Sequence, residues 1–274
     1  MRIVGSAAVP DVSPTGGHTV TRTEVAAAAP AWVRERLGGP RREADVVHFG
    51  TDAVYLDDDG ACLGLLTRSA VAVPCGLQTT LRDVPPAGRI AHIGGGHLEV
   101  SGVQVHVGRL VDASVPRLNA CSTTPTVLAD AYGDRLEDVR AELPASALSA
   151  LRNAETTAVR SLLGRGSGLT PVGDDVLCGW TATRHGLGTP SVPVIRAIQA
   201  GARASTTRLS ATLLDRACAG EVIPQFRQLL LALRAPTASA PAIGRAVDAL
   251  LAVGHTSGAG LLLGATIAVS PQHP

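Results

Sequence analysis

The chain contains no lysine: all 24 basic residues are arginine, set against 23 acidic ones. This excludes Schiff-base chemistry and a P-loop lysine, and leaves arginine, backbone amides or a metal to hold any oxyanion. A GC-rich gene is the simpler source of the bias. Aromatic side chains are almost as scarce: Trp32, Phe49, Tyr55, Tyr132, Trp180 and Phe226 are the whole set, too few for a platform that stacks bases. A net charge of +1 gives no electrostatic footprint for nucleic acid or an anionic membrane. The cysteines, at 62, 75, 121, 178 and 218, are odd in number and lack CxxC spacing, which argues against a disulfide framework or a structural zinc site. No secretory pattern opens the chain, and the longest apolar run, Leu261 to Val269, is too short to span a bilayer. These absences lead us to expect a soluble cytoplasmic protein that binds neither nucleic acid nor membrane.

With 274 residues, the chain can bury one large core or two modest ones. Its first half reads as β-rich. Short apolar runs at Asp45 to Gly50, Ala53 to Leu56, Ala61 to Thr67, Val71 to Val73, Arg89 to Ile93, His97 to Val100 and Val103 to Leu110 predict strands, with Asp57-Asp58-Asp59-Gly60 as a turn. Short strands at this spacing suggest a barrel or a sandwich. The second half reads as helical: Thr126 to Leu143, Ala145 to Leu163, Gly173 to His185, Val192 to Arg203, Arg208 to Ala219, Ile223 to Arg234, Ala240 to Val253 and Ser257 to Val269. Strands then helices, without alternation, predict an α+β protein. The composition shifts between Asp112 and Thr124, which puts a β-rich domain at 1–115 and a helical domain at 116–274.

The densest functional signal is Gly164-Arg165-Gly166-Ser167-Gly168-Leu169-Thr170-Pro171-Val172-Gly173-Asp174-Asp175. Glycines let backbone amides approach a ligand, Thr170 can cap the next helix and Pro171 suits its first turn. A helix N-terminus behind such a loop favours an anion. Asp174 and Asp175 supply oxygen ligands for Mg²⁺ or a carboxylate for proton transfer. Gly166, Gly168, Thr170 and Gly173 are therefore candidate substrate contacts, and Asp174 and Asp175 candidate catalytic or metal-holding groups. The same pieces also read as an ordinary C-cap, helix start and dipole-stabilising acids.

Two further clusters share that polarity. Gly254-His255-Thr256-Ser257-Gly258 opens the last helix; Thr256 or Ser257 can cap it, and His255 is the best general acid–base candidate because its ordinary pKa lies near neutrality. In Ser205-Thr206-Thr207-Arg208-Leu209-Ser210, Thr206 or Thr207 can start a new helix, while Arg208 can fork onto an oxyanion and Ser210 can join it. Each is equally a capped helix start. His92 and His97 flank Gly94-Gly95-Gly96, and His106 follows on the next strand. Their spacing is not a recognised ligand pattern and no cysteine or acidic ligand completes it, so they read as ordinary strand histidines.

The run GRGSGLTPVGDDVLCG resembles the G-x-G-x-GLTP-x-GDD-x-L-x-G block of the AllH-like family. Thr206-Thr207-Arg208-Leu209-Ser210, followed by Leu213-Leu214 and Ala217-Cys218-Ala219-Gly220, looks like that family's second block in polarity and position, and Gly254-His255-Thr256-Ser257-Gly258 with Gly264 like its third, all in family order. The resemblance covers about residues 145 to 270. It implies a subunit of an oxamate carbamoyltransferase of allantoin breakdown, handling oxalurate, carbamoyl phosphate or a similar small anion together with partner subunits. This chain departs from the pattern at Ala259-Gly260, after the third block, and carries Arg165 and Ser167 inside the glycine loop. A non-catalytic regulatory or assembly subunit, and a metal-dependent hydrolase using Asp174 and Asp175, remain alternatives. No cofactor is assigned beyond the Mg²⁺ those two carboxylates can offer to hold.

Overall fold

A computed structural model describes residues 23–86, 88–118, 134–234 and 240–270. Eight strands close a barrel: β1 (Thr23–Ala29), β2 (Arg42–Phe49), β3 (Ala53–Asp58), β4 (Ala61–Leu66), β5 (Gly76–Gln78), β6 (Ile90–Gly94), β7 (His97–Val100) and β8 (Val103–Leu110). The order around the barrel is β1-β5-β4-β3-β2-β6-β7-β8, and β8 returns to pair with β1. The β1–β8 and β4–β5 pairs are parallel and the others antiparallel. Leu98, Val100, Val105 and Ile93 point inward and are buried, as strand alternation requires. Closure removes the unpaired edges that an open sheet would expose.

Two elements of this half escape the sequence pattern. β1 is an alanine run, weak in β-propensity, and its Ala27 and Ala29 are small enough to sit buried in the barrel core. The helix Ala31–Leu37 packs Val33 and Leu37 into the same core. The expected strand Val71 to Val73 does not form. Pro74 removes an amide from the ladder, Val73 instead accepts a turn hydrogen bond from Gly76, and the strand begins there.

The helical half holds Glu137–Glu142, Ala145–Arg152, Thr157–Leu162, Val172–Gly186, Val192–Ser205, Arg208–Cys218, Pro224–Arg234, Ala240–Leu251 and Ser257–Val269. The single helix expected over Ala145 to Leu163 is two helices, because Ala154 takes a left-handed conformation (φ 57°) and ends the first. Of the helix expected from Thr126 to Leu143, residues 126–133 lie outside the described residues, as do Cys121 and Tyr132. Residues 134–136 form a 3-10 turn ahead of Glu137–Glu142. The connection after β8 runs along the helical half: Val115 donates to the Gly220 carbonyl and Leu118 to that of Gly186.

Val172–Gly186 and Ser257–Val269 form the centre of this half, and nearly every residue of both is buried. Ser257–Val269 is apolar on every side, as a helix inside a core is. Glycines let the two backbones meet. A Cβ at Gly264 would lie 2.2 Å from the Val176 carbonyl oxygen, and one at Gly179 would lie 2.1 Å from that of Leu261. The two halves join through a small cluster of Tyr55, Cys62, Leu66, Cys75 and Leu209. At this seam the Cys62 amide donates to Thr212 Oγ1 at 2.8 Å, and Arg208 Nε pairs with Asp57 Oδ2 at 2.9 Å.

Candidate functional site

The three polar clusters meet. Asp174, in the first turn of Val172–Gly186, accepts from the Gly164 amide at 2.8 Å on Oδ1. Its Oδ2 accepts from the Thr206 hydroxyl and, at 2.7 Å, from that of Ser210. The Thr207 hydroxyl donates to the Leu169 carbonyl and also accepts from the Ser210 amide, capping Arg208–Cys218. On the other side, Thr170 Oγ1 lies 2.8 Å from Ser257 Oγ at the start of the last helix. A segment of irregular backbone is thereby fixed against two helix starts.

The neighbouring carboxylates are placed differently. Asp174 is fully buried and its oxygens are saturated by three donors. Burial pushes its carboxyl upward, and hydrogen bonds from Thr206, Gly164 and Ser210 offset part of that. Asp175 is also buried, but its Oδ2 has no hydrogen-bond partner among the described residues. Burial drives the Asp175 carboxyl well above the ordinary range; the Ser257 hydroxyl pulls it back in part and the Asp174 charge adds to the rise. Desolvation of this kind favours the neutral, proton-bearing acid.

Asp175 lines a cavity of about 510 Å³ between the halves. Thr170, Cys178, Leu209 and Ser257 share the helical wall, and His48, Asp52, Tyr55 and Ser69 form the barrel wall. Asp52 Oδ1 accepts from the Ser69 hydroxyl at 2.7 Å and the Thr67 hydroxyl at 3.1 Å, which ties the β2–β3 turn to the loop after β4. Burial holds the Tyr55 phenol and the Cys178 thiol in their protonated forms by pushing both upward. A mostly apolar concavity with a few convergent polar groups is the usual form of a small-molecule site.

Several residues singled out in the sequence sit elsewhere. Arg208 points at Asp57 across the seam and is not among the residues that line the cavity. His255 is exposed and does not line it either, although Gly254 and Ser257 do. Thr170 does not cap the helix after it: Pro171 takes the cap position, with no side-chain hydrogen bond. Thr256 occupies the cap of the last helix, also without one. Gly173 approaches the chain's own backbone, since a Cβ there would lie 2.1 Å from the Leu162 carbonyl oxygen. Gly166 would meet the Val172 amide at 2.8 Å, whereas Gly168, at φ 86°, faces open space. Asp174 and Asp175 belong to no group of three metal-ligating side chains among the described residues. The barrel wall of the cavity was not anticipated. His48, Asp52 and Ser69 lie at strand ends and in loops, and the only local hint is that polar residues gather where strands turn.

Residues 162–269 match the family model of the oxamate carbamoyltransferase subunit AllH. The AllH match runs from the end of Thr157–Leu162 to the end of the last helix, and so contains all three clusters but none of the barrel. No curated protein and no solved structure matches the chain. A Cβ at Gly260 would lie 2.8 Å from Asp175 Cβ and 3.1 Å from the Val172 carbonyl oxygen, so nothing larger fits there.

Proposed function

We propose that the chain is a subunit of an oxamate carbamoyltransferase-like assembly and that its inter-half cavity takes a small carboxylate or carbamoyl-bearing ligand, such as oxalurate or carbamoyl phosphate. The observation that carries this reading is the orphaned Asp175 Oδ2, a buried carboxyl oxygen in a cavity wall with no hydrogen-bond partner among the described residues. Such an atom is costly unless a ligand or solvent satisfies it. In its neutral form, Asp175 donates a hydrogen bond to a carbonyl or carboxylate oxygen without repelling it, and it is placed to hold or return a proton. Thr170 and Ser257 add hydroxyls beside it. Asp174 acts as a positioning residue: its three hydrogen bonds hold the loop, the helix start and the 206–210 segment together. Transfer of a carbamoyl group to phosphate needs oxyanion donors and orientation. Among the described residues, those lining the cavity offer hydroxyls but no arginine, and in this reading partner subunits supply the cationic part. The same lack of arginine favours a second reading, in which this chain binds ligand for assembly or regulation and the chemistry lies in another subunit. Calorimetric titration of oxalurate, oxamate and carbamoyl phosphate into the reconstituted complex tests both. Loss of binding in Asp175→Ala with the complex intact supports the site; unchanged binding and turnover in that variant removes it. Lost binding with turnover still supported by the partners would favour the second reading.

A further inference from the structure

The outer face of the barrel brings together residues far apart in sequence. His97 on β7 and His106 on β8 are direct cross-strand partners. Ala26 on β1 is opposite His106, so Glu24, two residues earlier, projects on the same face. Ligand atoms of Glu24, His97 and His106 all lie within 4.8 Å of one another. No acidic ligand for these histidines is legible in the sequence; the fold supplies Glu24 from the first strand of the barrel. His92 is not in the group; it pairs with Glu99 across β6 and β7.

The protonation geometry is informative. His97 Nδ1 lies 2.9 Å from the Gly95 carbonyl oxygen. A carbonyl only accepts, so Nδ1 carries the proton and the neutral ring's lone pair is on Nε2. That Nε2 is 3.8 Å from Glu24 Oε1. Two acceptors facing each other need a proton or a cation between them. A backbone carbonyl that orients an imidazole in this way is also the usual outer support of a metal-bound histidine. The His106 ring stands edge-on to that of His97, with centroids 6.0 Å apart, and its buried Nδ1 has no hydrogen-bond partner among the described residues.

We propose that Glu24, His97 and His106 bind one divalent transition-metal ion, zinc by the chemistry of the ligands, on the outside of the barrel. Two imidazoles and a carboxylate are a borderline-hard donor set that suits zinc and leaves a fourth position for water. Bonds of about 2 Å require the three groups to draw together slightly, which the exposed Glu24 side chain permits. The ion would join β1, β8 and β7 where the barrel closes. β1 has a continuous ladder only to β8 and meets β5 at a single residue pair, Ala28 and Gln78. Binding to the folded state alone would therefore stabilise closure by mass action.

The test uses the full chain, without a histidine tag, stripped by chelator and titrated with ZnCl₂ while metal content and thermal midpoint are followed. One equivalent of zinc should bind and raise the midpoint, and cobalt(II) should give the visible spectrum of a histidine–carboxylate site. Glu24→Gln, at an exposed position that does not threaten folding, should weaken binding by on the order of tenfold or more, and His97→Ala should abolish it; His92→Ala should change nothing. Absence of a bound equivalent, or zinc binding unchanged in both Glu24→Gln and His97→Ala, overturns the proposal.

Discussion

In the barrel, side chains fill the interior and the backbone stays at the wall. In the helical half, side chains such as Trp180 and Phe226 also fill a core, but where the two central helices cross, backbone meets backbone, and glycines at 179, 260 and 264 remove the side chains that would keep them apart. The barrel core and the glycine crossing of the helix pair therefore respond in opposite ways to a change of size. The barrel is sensitive to loss of volume, as any packed apolar core is. The helix pair is sensitive to added volume, because its neighbours are carbonyl oxygens that cannot change rotamer.

The sharpest break of this comparison is Gly264→Ala. In an open helix the change would stabilise by up to about 1 kcal/mol. Here the new methyl would lie 2.2 Å from the Val176 carbonyl oxygen and 2.7 Å from the Trp180 amide nitrogen, and we expect a loss of about 4 kcal/mol. Gly201→Ala in Val192–Ser205 is the control. Its methyl meets only the tip of Leu163, and it should be neutral or gain a few tenths of a kcal/mol. Leu98→Ala in the barrel should cost about 3 kcal/mol by leaving a cavity. Urea denaturation of the three variants measures all of this; a tolerated Gly264→Ala would show that the helix pair can spread.

The same contrast decides what was legible in the sequence. The barrel's strands could be read from short apolar runs, and at Val103 to Val107 from alternation, but β1 could not, since alanines carry no alternation signal. The helices could be read from periodicity and punctuation, and Ser257–Val269 starts and ends as expected. The convergence of the three clusters was legible as three similar local patterns. Their roles were not. Asp174 and Asp175 look alike in the sequence, and only packing separates the saturated carboxylate from the orphaned one. Arg208 reads as an anion ligand until Asp57 appears across the seam. The cavity's barrel wall depends on the docking of the two halves, which no local pattern encodes.

Asp58 and Asp175 extend the comparison to charge. Asp58, buried at the end of β3, pairs with Arg42 at 2.6 Å and Arg36 at 2.6 Å. Burial pushes its carboxyl up, but the two guanidinium groups outweigh it and hold it below the ordinary value. Asp58 therefore contributes stability that is present above the ordinary carboxyl pKa of 3.8 and is lost as pH falls through the lowered folded-state value. Asp58→Asn should cost about 2 kcal/mol at neutral pH, with the gap to wild type closing in acid. Asp175 has the opposite sign. Its raised carboxyl favours the fold below 3.8, and that contribution is lost as pH rises toward the folded-state value. Asp175→Asn should remove this decline, so that the variant gains on wild type as pH is raised. Denaturation midpoints from roughly pH 3 to pH 8 would check both signs; parallel profiles for the two variants would mean that burial and pairing do not distinguish these carboxylates.

The smallest expected effect lies at the seam. Arg208 and Asp57 form an ion pair whose arginine is 44% exposed, and such pairs contribute between zero and about 1 kcal/mol. Arg208→Lys keeps the charge, loses the planar fork, and should shift stability by less than about 0.5 kcal/mol. Its value lies in what it does to ligand affinity. If Arg208 serves only to dock the helical half onto the barrel, oxalurate or carbamoyl phosphate should bind Arg208→Lys as tightly as wild type, while Asp175→Ala does not bind. If Arg208→Lys weakens binding tenfold with unchanged stability, the arginine swings from Asp57 to the ligand when the site fills, and the pair seen here is its resting position. Adding Asp57→Asn separates these outcomes. It frees the arginine, so affinity should rise if release from Asp57 opposes binding and should stay unchanged if Arg208 never leaves the seam.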